Sequence, residues 1–275
     1  MIFAKELNKY DYAMPFFSVI IPTHKRSILL SRALESIRQQ KNGLPFEVIV
    51  VSDIVDHETD LVCRELLSSR DVYIRRSGLP GPSESRNIGK KLAKGNYLLF
   101  LDDDDAWHPD FLSQLINNSY IQQGKLIYFN CTVVQESRLI DGPVTLSEVA
   151  LDLSGRLTQD VYVKNQVHMS CFAWPRTLLD GINFDTHMRA YEDWDFQLAA
   201  YTRQWPQHIP ILGSRIFEVS DETTDRRGQS QDAQNFNAVL DYLYVYRRWP
   251  APSDALKRKR ADLLEYAGLK INIDF

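Results

Sequence analysis

A short apolar run followed at once by four consecutive aspartates constrains this sequence more than any other feature. Residues 97–101 are apolar and rich in leucine and aromatic side chains, which is typical of a buried strand, and Asp102–Asp105 come directly after them. Ionised carboxylates without partners are costly to bury, so the aspartates must lie where the strand reaches the surface. We therefore predict an α/β fold in which these carboxylates lie at the carboxyl ends of the sheet strands, where such folds bind ligands.

The acidic run has two interpretations. Neighbouring carboxylates raise one another's pKa unless a cation lies between them, and oxygen ligands at this density suit Mg²⁺ or Mn²⁺. Many acidic runs, however, are solvated surface turns with no ligand. The remainder of the chain has to decide between a metal site and a solvated turn.

Composition limits the class of protein. The 275 residues are 44% hydrophobic and 25% charged, as in an ordinary globular protein, and the net charge of −4 argues against nucleic acid as a partner. The three cysteines form no CxxC pair, which favours buried thiols over a zinc site or a disulfide framework. No convincing signal peptide or membrane-spanning run is present, so we expect a cytoplasmic protein.

Strand-like and helix-like segments alternate through the first half. The predicted strands are 16–21, closed by Pro22, then 46–51, 72–74, 97–101 and 126–131. The predicted helices are 28–40, with Ser27 as N-cap, then 59–67, 85–93 and 109–122. This alternation indicates βαβ units and a mostly parallel sheet.

The second half has a weaker pattern. It predicts strands and loops over 133–165, a strand at 168–174, a helix at 192–203 and a mobile loop at 221–232. Residues 233–266 are predicted to form two helices, separated at Pro250 and Pro252. His168 and His187 are isolated in the sequence and are interpreted as structural.

Carboxylates are the main candidates for chemistry. The sequence has no G-x-G-x-x-G turn, Walker A motif or Gly-x-Ser-x-Gly elbow. Asp53 ends the second predicted strand, and should open onto the same sheet edge as the acidic run. Glu192 and Asp193 begin a predicted helix, a position where acidic residues are common because of the helix dipole.

Five motifs together resemble a known family. They are Ser18-Val19-Ile20-Ile21-Pro22-Thr23, Glu47-Val48-Ile49-Val50-Val51-Ser52-Asp53, Ser85-Arg86-Asn87-Ile88-Gly89, Phe100-Leu101-Asp102-Asp103-Asp104-Asp105 and Glu192-Asp193-Trp194. In order and spacing they resemble family 2 glycosyltransferases of the GT-A fold, over residues 16–205. Because of this resemblance, we interpret the acidic run as a metal site rather than as a solvated surface turn.

The resemblance implies a GT-A (Rossmann-like) fold, an α/β architecture with a mixed, mostly parallel sheet flanked by helices and a helical C-terminal extension. It implies a GT-A domain at 1–215, made of a nucleotide-sugar-binding half at 16–131 and an acceptor half at 132–215. A mobile loop and the helical extension would then occupy 216–275.

The family further implies an inverting, metal-dependent transfer that uses Mn²⁺ or Mg²⁺. The expected donor is a UDP-linked hexose or N-acetylhexosamine, and the expected acceptor is a bacterial surface polysaccharide, such as O-antigen or capsule, or a lipid-linked oligosaccharide at the inner membrane face. A basic helix around Lys257-Arg258-Lys259-Arg260 is a candidate for peripheral contact with anionic lipid, and a solvated face is the alternative.

The resemblance also assigns roles by position. The nucleotide side comprises Pro22, Thr23, Lys25, Asp53, Arg86, Asp102 and Asp103. The metal ligands are Asp104 and Asp102. Asp193 is the general base, and Glu192 and Trp194 lie on the acceptor side, although core packing explains Trp194 equally well.

Some positions differ from the family pattern. His24-Lys25 replaces the usual aromatic residue and Asn, and Ser52 replaces the first of two aspartates. The distal loop has Arg226 and Arg227, preceded by Glu218, where the family often has a His. These arginines are candidates for binding the diphosphate, and a solvated loop is the alternative.

Two other classes of function are considered. A phosphohydrolase of the haloacid dehalogenase type also has Asp-x-Asp after a strand, but near its first strand and followed by Thr or Val rather than by Asp105-Ala106. A non-catalytic module that binds sugar nucleotides would need Asp53 and Asp104 but not Asp193.

Overall fold

The computed structural model describes residues 14–40, 46–138, 142–220 and 236–266. The predicted mobile loop at 221–232, with Arg226 and Arg227, lies outside these described residues. Within them, no helix combines the length and the apolar character that crossing a membrane requires.

Nine strands and eight α-helices make up the described fold. The strands are β1 (Phe17–Thr23), β2 (Phe46–Ser52), β3 (Val72–Arg75), β4 (Tyr97–Phe100), β5 (Ala106–Trp107), β6 (Ile127–Ser137), β7 (Val144–Leu151), β8 (Phe172–Pro175) and β9 (Gln207–Val219). The helices are α1 (Ser27–Arg38), α2 (His57–Leu66), α3 (Pro82–Leu92), α4 (Phe111–Ile116), α5 (Ser119–Gln122), α6 (Glu192–Tyr201), α7 (Phe236–Arg248) and α8 (Asp254–Tyr266).

The strands form one mixed sheet in the order β3-β2-β1-β4-β8-β6-β9-β5, with β7 paired to β6. The strands of the first half, β1 to β4, are parallel to one another. Beyond β4 most pairings are antiparallel, and β6 and β9 form a further parallel pair. The predicted α/β architecture with a mixed sheet is confirmed, and its parallel part is the region where strands and helices alternate in the sequence.

Gly89, the last residue of the Ser85-Arg86-Asn87-Ile88-Gly89 motif, lies in α3 where this helix meets β1. The helix packs against β1, and a Cβ atom at Gly89 would collide with the side chain of Ile20. A glycine therefore allows the helix to approach the strand closely. This close approach sets the position of Arg86, one turn earlier on the same helix.

Pro22 lies inside β1 rather than ending it, which corrects the predicted boundary. Ile20 accepts a hydrogen bond from the N–H of Leu101, so Pro22, two residues further on, faces the same side of the strand. That point lies beyond Phe100, the last residue of β4, so a proline there leaves the β1–β4 ladder intact.

Other predicted boundaries also change. Ser27 lies in the first turn of α1, and Arg26 occupies the cap position. The helix predicted at 109–122 is two helices, because the Asn118 side chain accepts a hydrogen bond from the N–H of Tyr120 and caps α5. The strand predicted at 168–174 begins as a 3₁₀ turn over Met169–Cys171.

The longest strands were the hardest to predict. β6 continues to Ser137 rather than ending at Cys131, because β9 pairs with it as far as Val219. The sequence reading did not predict β9, and the expected domain boundary after residue 215 falls inside it. The two predicted C-terminal helices are present as α7 and α8.

Candidate active site

A cleft of about 530 Å³ lies at the carboxyl ends of β1 and β4. Its charged lining consists of Asp102–Asp105, Arg26, Arg86, Arg138, His168 and Glu218, and Pro22 and Pro82 are among its other lining residues. Cations and carboxylates therefore face the same space. The predicted position of the acidic run, at the edge of the sheet, is where the structure places it.

The four aspartates alternate between buried and accessible. The side chains of Asp102 and Asp104 are 26% and 23% exposed. Those of Asp103 and Asp105 are only 4% and 3% exposed. Asp102 and Asp104 therefore have the more accessible carboxylates, at the spacing of the Asp-x-Asp motif.

The two buried aspartates hold the cleft together. Asp103 accepts hydrogen bonds from the Thr23 hydroxyl at 2.8 Å and from Arg26 at 3.2 Å, which joins the ends of β1 and β4. Asp105 accepts hydrogen bonds from the Ser170 hydroxyl at 2.8 Å and from the N–H of Phe217 at 3.2 Å. Burial raises the pKa of Asp105 to about 7. Thr23 and Asp103 were both predicted to bind the nucleotide, and in this structure they are hydrogen-bonded to each other.

Two arginines bind Asp104. Its Oδ2 atom accepts hydrogen bonds from Arg26 at 3.1 Å and from Arg138 at 3.2 Å. Arg138 is oriented by Glu136, which is 1% exposed and also pairs with Arg32. Sequence reasoning missed Arg26 and Arg138. Arg26 follows His24-Lys25, where only Lys25 was assigned a role, and Arg138 lies beyond the predicted end of β6.

Arg86 connects the acidic run to helix α6. It donates to Asp102 at 2.7 Å and to Glu192 at 2.9 Å, and it is 5% exposed. Burial lowers the pKa of Arg86, but the two carboxylates outweigh burial and raise it above its usual value. Burial raises the pKa of Glu192, and Arg86 opposes that rise. Two motifs far apart in the sequence therefore meet at one guanidinium.

Asp53 is 5% exposed and occupied on both oxygens. Oδ1 lies 2.5 Å from Nδ1 of His24, and Oδ2 accepts the N–H of Gly81 at 2.7 Å. Arg76 lies near the same carboxylate and bonds the carbonyls of the loop before α3. Asp53 therefore anchors that loop beside the cleft, whereas the Lys25 side chain, in a residue with a φ of 50°, is exposed.

The predicted base, Asp193, lies in the first turn of α6 and is partly exposed. Its Oδ2 atom accepts a hydrogen bond from Asn165 at 2.9 Å, and its Oδ1 atom accepts the N–H of Trp194 at 2.7 Å. Trp194 itself is 0% exposed, and its indole donates to the carbonyl of Val161. The structure therefore favours core packing over an acceptor contact for Trp194.

His168 joins the cleft although sequence reasoning treated it as structural. Its ring nitrogens lie 3.8 Å from Asp102 and 3.7 Å from Asp105. Burial lowers the pKa of His168, but nearby carboxylates, which include Asp193, outweigh it and raise the pKa. No local pattern around His168 predicts this position.

Three of these side chains fit a divalent cation. Asp102, Asp105 and His168 each offer one ligand atom, and these atoms lie within 4.8 Å of one another. Carboxylate oxygens with one imidazole suit Mn²⁺, and carboxylates also suit Mg²⁺. Asp102 belongs both to this set and to the pair that the resemblance implies, whereas Asp104 is bound by arginines.

Comparison with known proteins agrees with this geometry. The model of the family described as glycosyl transferase family 2 matches residues 18–177, more than half of the chain. An uncharacterized glycosyltransferase of Haemophilus influenzae is 29% identical over 234 residues, covering 82% of this chain and 75% of that protein. A putative colanic acid biosynthesis glycosyl transferase of Escherichia coli is 26% identical, with 89% and 85% covered.

A third relative matches a shorter region. The GalNAc(5)-diNAcBac-PP-undecaprenol beta-1,3-glucosyltransferase of Campylobacter jejuni is 33% identical over 132 residues, which is 46% of this chain and 41% of that protein.

Solved structures share the fold. S. aureus TarS 1-349 in complex with UDP-GlcNAc aligns with a TM-score of 0.60 at 19% identity, over 92% of this chain and 73% of that one. The mannosyltransferase PcManGT from Pyrobaculum calidifontis, in complex with GDP-Man and Mn²⁺, aligns with a TM-score of 0.53 at 17% identity, over 94% and 76%. The motifs, the mixed sheet and the family match agree, and this chain belongs to glycosyl transferase family 2.

Proposed function

We propose that this glycosyltransferase moves a hexose or N-acetylhexosamine from a UDP-linked donor to a saccharide hydroxyl, with inversion at the anomeric carbon. One observation carries the proposal: Arg86 bonds both Asp102 and Glu192, so the acidic run and the start of α6 meet in one place. A donor-side acid and a candidate base, Asp193, are thereby held close to a single cleft.

The proposed chemistry is one displacement. Asp193 accepts the proton of the acceptor hydroxyl while that oxygen forms a bond to the anomeric carbon. The bond from this carbon to the donor diphosphate oxygen breaks, and its electron pair leaves with the diphosphate. Asn165, which bonds Asp193 at 2.9 Å, orients the carboxylate. Attack from the face opposite the leaving group inverts the centre.

Asp102 and Asp104 are the proposed ligands of Mn²⁺ or Mg²⁺, and His168 and Asp105 lie close enough to Asp102 to complete the set. When bound, a divalent ion supplies compensation for the negative charge that develops on the diphosphate. The Mn²⁺ complex of the Pyrobaculum calidifontis mannosyltransferase supports this part of the proposal by analogy of fold.

Arg26 and Arg138 extend the proposal to the diphosphate. Both line the cleft beside Asp104, and Glu136 orients Arg138. Guanidinium groups match the geometry of phosphate oxygens and bind them through charge-assisted hydrogen bonds. We propose that these two residues make the diphosphate contact for which Arg226 and Arg227 were candidates. The nucleoside would then lie toward Pro22 and the loop that Asp53 anchors.

The acceptor is proposed to be a bacterial surface glycan or a lipid-linked oligosaccharide at the inner membrane face. Support comes from relatives named for colanic acid biosynthesis and for an undecaprenol-linked glycan. The basic helix adds little to a proposed membrane contact, because Lys257 pairs with Asp254, Lys259 pairs with Asp160, and Arg260 is 1% exposed. Sedimentation with anionic vesicles tests that contact directly.

The experiment for the donor is a panel of nucleotide sugars with Mn²⁺, measured by thermal shift and by donor hydrolysis. We expect UDP-linked sugars to raise the melting temperature and to be hydrolysed slowly, with GDP- and dTDP-linked sugars as matched comparisons. A preference for another nucleotide would overturn the UDP assignment. A panel in which no nucleotide sugar changes either signal would overturn donor binding itself.

A non-catalytic sugar-nucleotide-binding module is the second candidate. It predicts that the donor binds but that no glycoside forms and no donor is hydrolysed. The partly exposed carboxylate of Asp193 favours the enzyme, because a binding module has no need of a base there. The family match gives no support to a phosphohydrolase.

A further inference from the structure

Helix α7 holds the segment that leads into α6. The carboxylate of Asp241 accepts hydrogen bonds from two consecutive backbone N–H groups, at 3.2 Å from Arg189 and 2.9 Å from Ala190. The next residue, Tyr191, is the N-cap of α6 and has a φ of 61°. A left-handed conformation at a residue other than glycine is costly and persists where surrounding contacts enforce it. Asp241 supplies two of those contacts.

Aromatic packing reinforces the same junction. The ring of Tyr242 lies 4.4 Å from that of Tyr191 and 5.2 Å from that of Trp194, measured between centroids. Tyr246, one turn later on α7, lies 5.9 Å from Trp194. One face of α7 therefore covers the residues on both sides of Glu192 and Asp193.

A second anchor lies just after Asp193. Asp195 is 2% exposed, and its two oxygens accept hydrogen bonds from Arg248 at 2.6 Å and from the Trp249 indole at 2.8 Å. Arg248 also reaches Asp185, at the other end of the segment, at 3.0 Å. The end of α7 thus binds the helix two residues beyond the proposed base.

Asn165, the hydrogen-bond partner of Asp193, is held in place by the C-terminal helices α7 and α8. Asn165 donates to Asp193, and the chain just before Asn165 bonds to both C-terminal helices. The Tyr246 hydroxyl donates to the carbonyl of Val163 at 2.7 Å, and Arg260 of α8 donates to the carbonyl of Tyr162 at 2.7 Å. The extension therefore holds the base and the residue that orients it.

We infer that the C-terminal helices set the position of the general base, with Asp241 and Arg248 as positioning residues on either side of Asp193. The inference rests on the proposed function, in which Asp193 removes the acceptor proton. On this inference, residues 236–266 contribute to the active site because they hold the proposed base in position. A carboxylate displaced by about 1 Å from its productive geometry loses about 100-fold in rate.

The test uses the full chain with Asp241→Ala and Asp241→Asn. Alanine removes the acceptor for both N–H groups, whereas asparagine keeps one oxygen that can accept them. The matched control is Asp254→Ala, which removes an exposed carboxylate of the same extension whose partner is Lys257. Each variant is assayed for UDP binding with Mn²⁺ by calorimetry, for donor turnover, and for hydrogen exchange in peptides covering residues 185–195.

We expect Asp241→Ala to lower kcat by about 10- to 100-fold with an unchanged KM for the donor and unchanged UDP affinity. Exchange in the 185–195 peptides should rise while exchange in β1 and β4 stays constant. Asp241→Asn should recover much of the turnover, and Asp254→Ala should match the unmodified protein.

Two results would overturn the inference: turnover and exchange that match the control, or UDP affinity that falls together with turnover. The latter would indicate general loss of structure. Failure of the proposed function is a separate outcome. If the unmodified protein neither binds UDP nor consumes a donor, the exchange measurement still decides whether Asp241 holds the start of α6.

Discussion

The acidic run and the proposed base, Asp193, are held in place in different ways. The acidic run follows β4 directly. β4 pairs with β1, which pairs with β2, and all three strands belong to the same region of alternating strands and helices. The position of Asp193 instead depends on Asn165, Asp241 and Arg248. Asn165 is far from the other two in the sequence, and all three are distant from Asp193.

Under the proposed function, this difference separates donor binding from catalysis. The donor side is formed by local strand–helix units, whose geometry follows from the parallel sheet. The proposed acceptor side depends on long-range contacts that Asn165 and α7 make with Asp193 and with its helix, α6. Changes on the acceptor side should therefore alter turnover more than nucleotide binding, and changes on the donor side should alter both.

The largest expected effect separates the two sides directly. Asp193→Asn keeps the size of the side chain but removes the base, so turnover should fall by about 10²- to 10⁴-fold. UDP affinity, measured by calorimetry with Mn²⁺, should stay the same because the donor side is intact. Asp254→Asn is the control on an exposed carboxylate. Unchanged turnover would remove Asp193 from the mechanism.

Arg86 connects the two sides, so its loss should damage both. Arg86→Met leaves Asp102 and Glu192 close together without their shared cation, and the free energy of unfolding should fall by about 3 kcal/mol. Urea denaturation measures this loss. The control is Arg75→Met, whose ion pair with Asp60 is half exposed on the arginine side and should contribute less than about 1 kcal/mol. Equal losses in the two variants would show that Arg86 is not a structural bridge.

Metal removal should affect the donor side. With EDTA, or in Asp104→Asn, the gain in UDP affinity that Mn²⁺ provides should disappear. His168→Gln tests whether the ligand set around Asp102 is used. Loss of this ligand should weaken Mn²⁺ binding by at least the roughly 10- to 100-fold that loss of a residue behind a metal ligand causes. Electron paramagnetic resonance of free Mn²⁺ measures the affinity. Full turnover in EDTA would contradict metal dependence.

Arg138 should give the smallest effect and the most selective one. Arg138→Met should weaken UDP about tenfold, the equivalent of one charge-assisted hydrogen bond, while uridine binding stays unchanged. Arg215→Met is the matched control, because Arg215 pairs at 2.7 Å with Glu148, an exposed residue of β7. A parallel loss of uridine affinity would mean that Arg138 shapes the cleft rather than binding the diphosphate.

Local patterns in the sequence were sufficient for the strands and helices around the acidic run, but not for the side chains that contact it. Alternating strands and helices predicted the parallel part of the sheet, and an apolar run before Asp102 placed the acidic run at its edge. These predictions succeed because burial of a strand or of one helix face depends on neighbouring residues in the chain. The motif positions of Arg86 and Asp193 were predicted only through the family resemblance.

The tertiary structure alone decided which side chains meet. Arg138 reaches Asp104 because β9 extends β6 beyond its predicted end, and His168 reaches Asp102 because the chain turns before β8. The burial of Trp194 and the anchoring of Asp193 depend on α7, far along the sequence. These contacts join segments that are far apart in the sequence. Composition and periodicity describe only neighbouring residues, so they could not predict which distant segments pack together. The sequence by itself determined where the acidic run emerges, and the packing of distant segments decided what faces it.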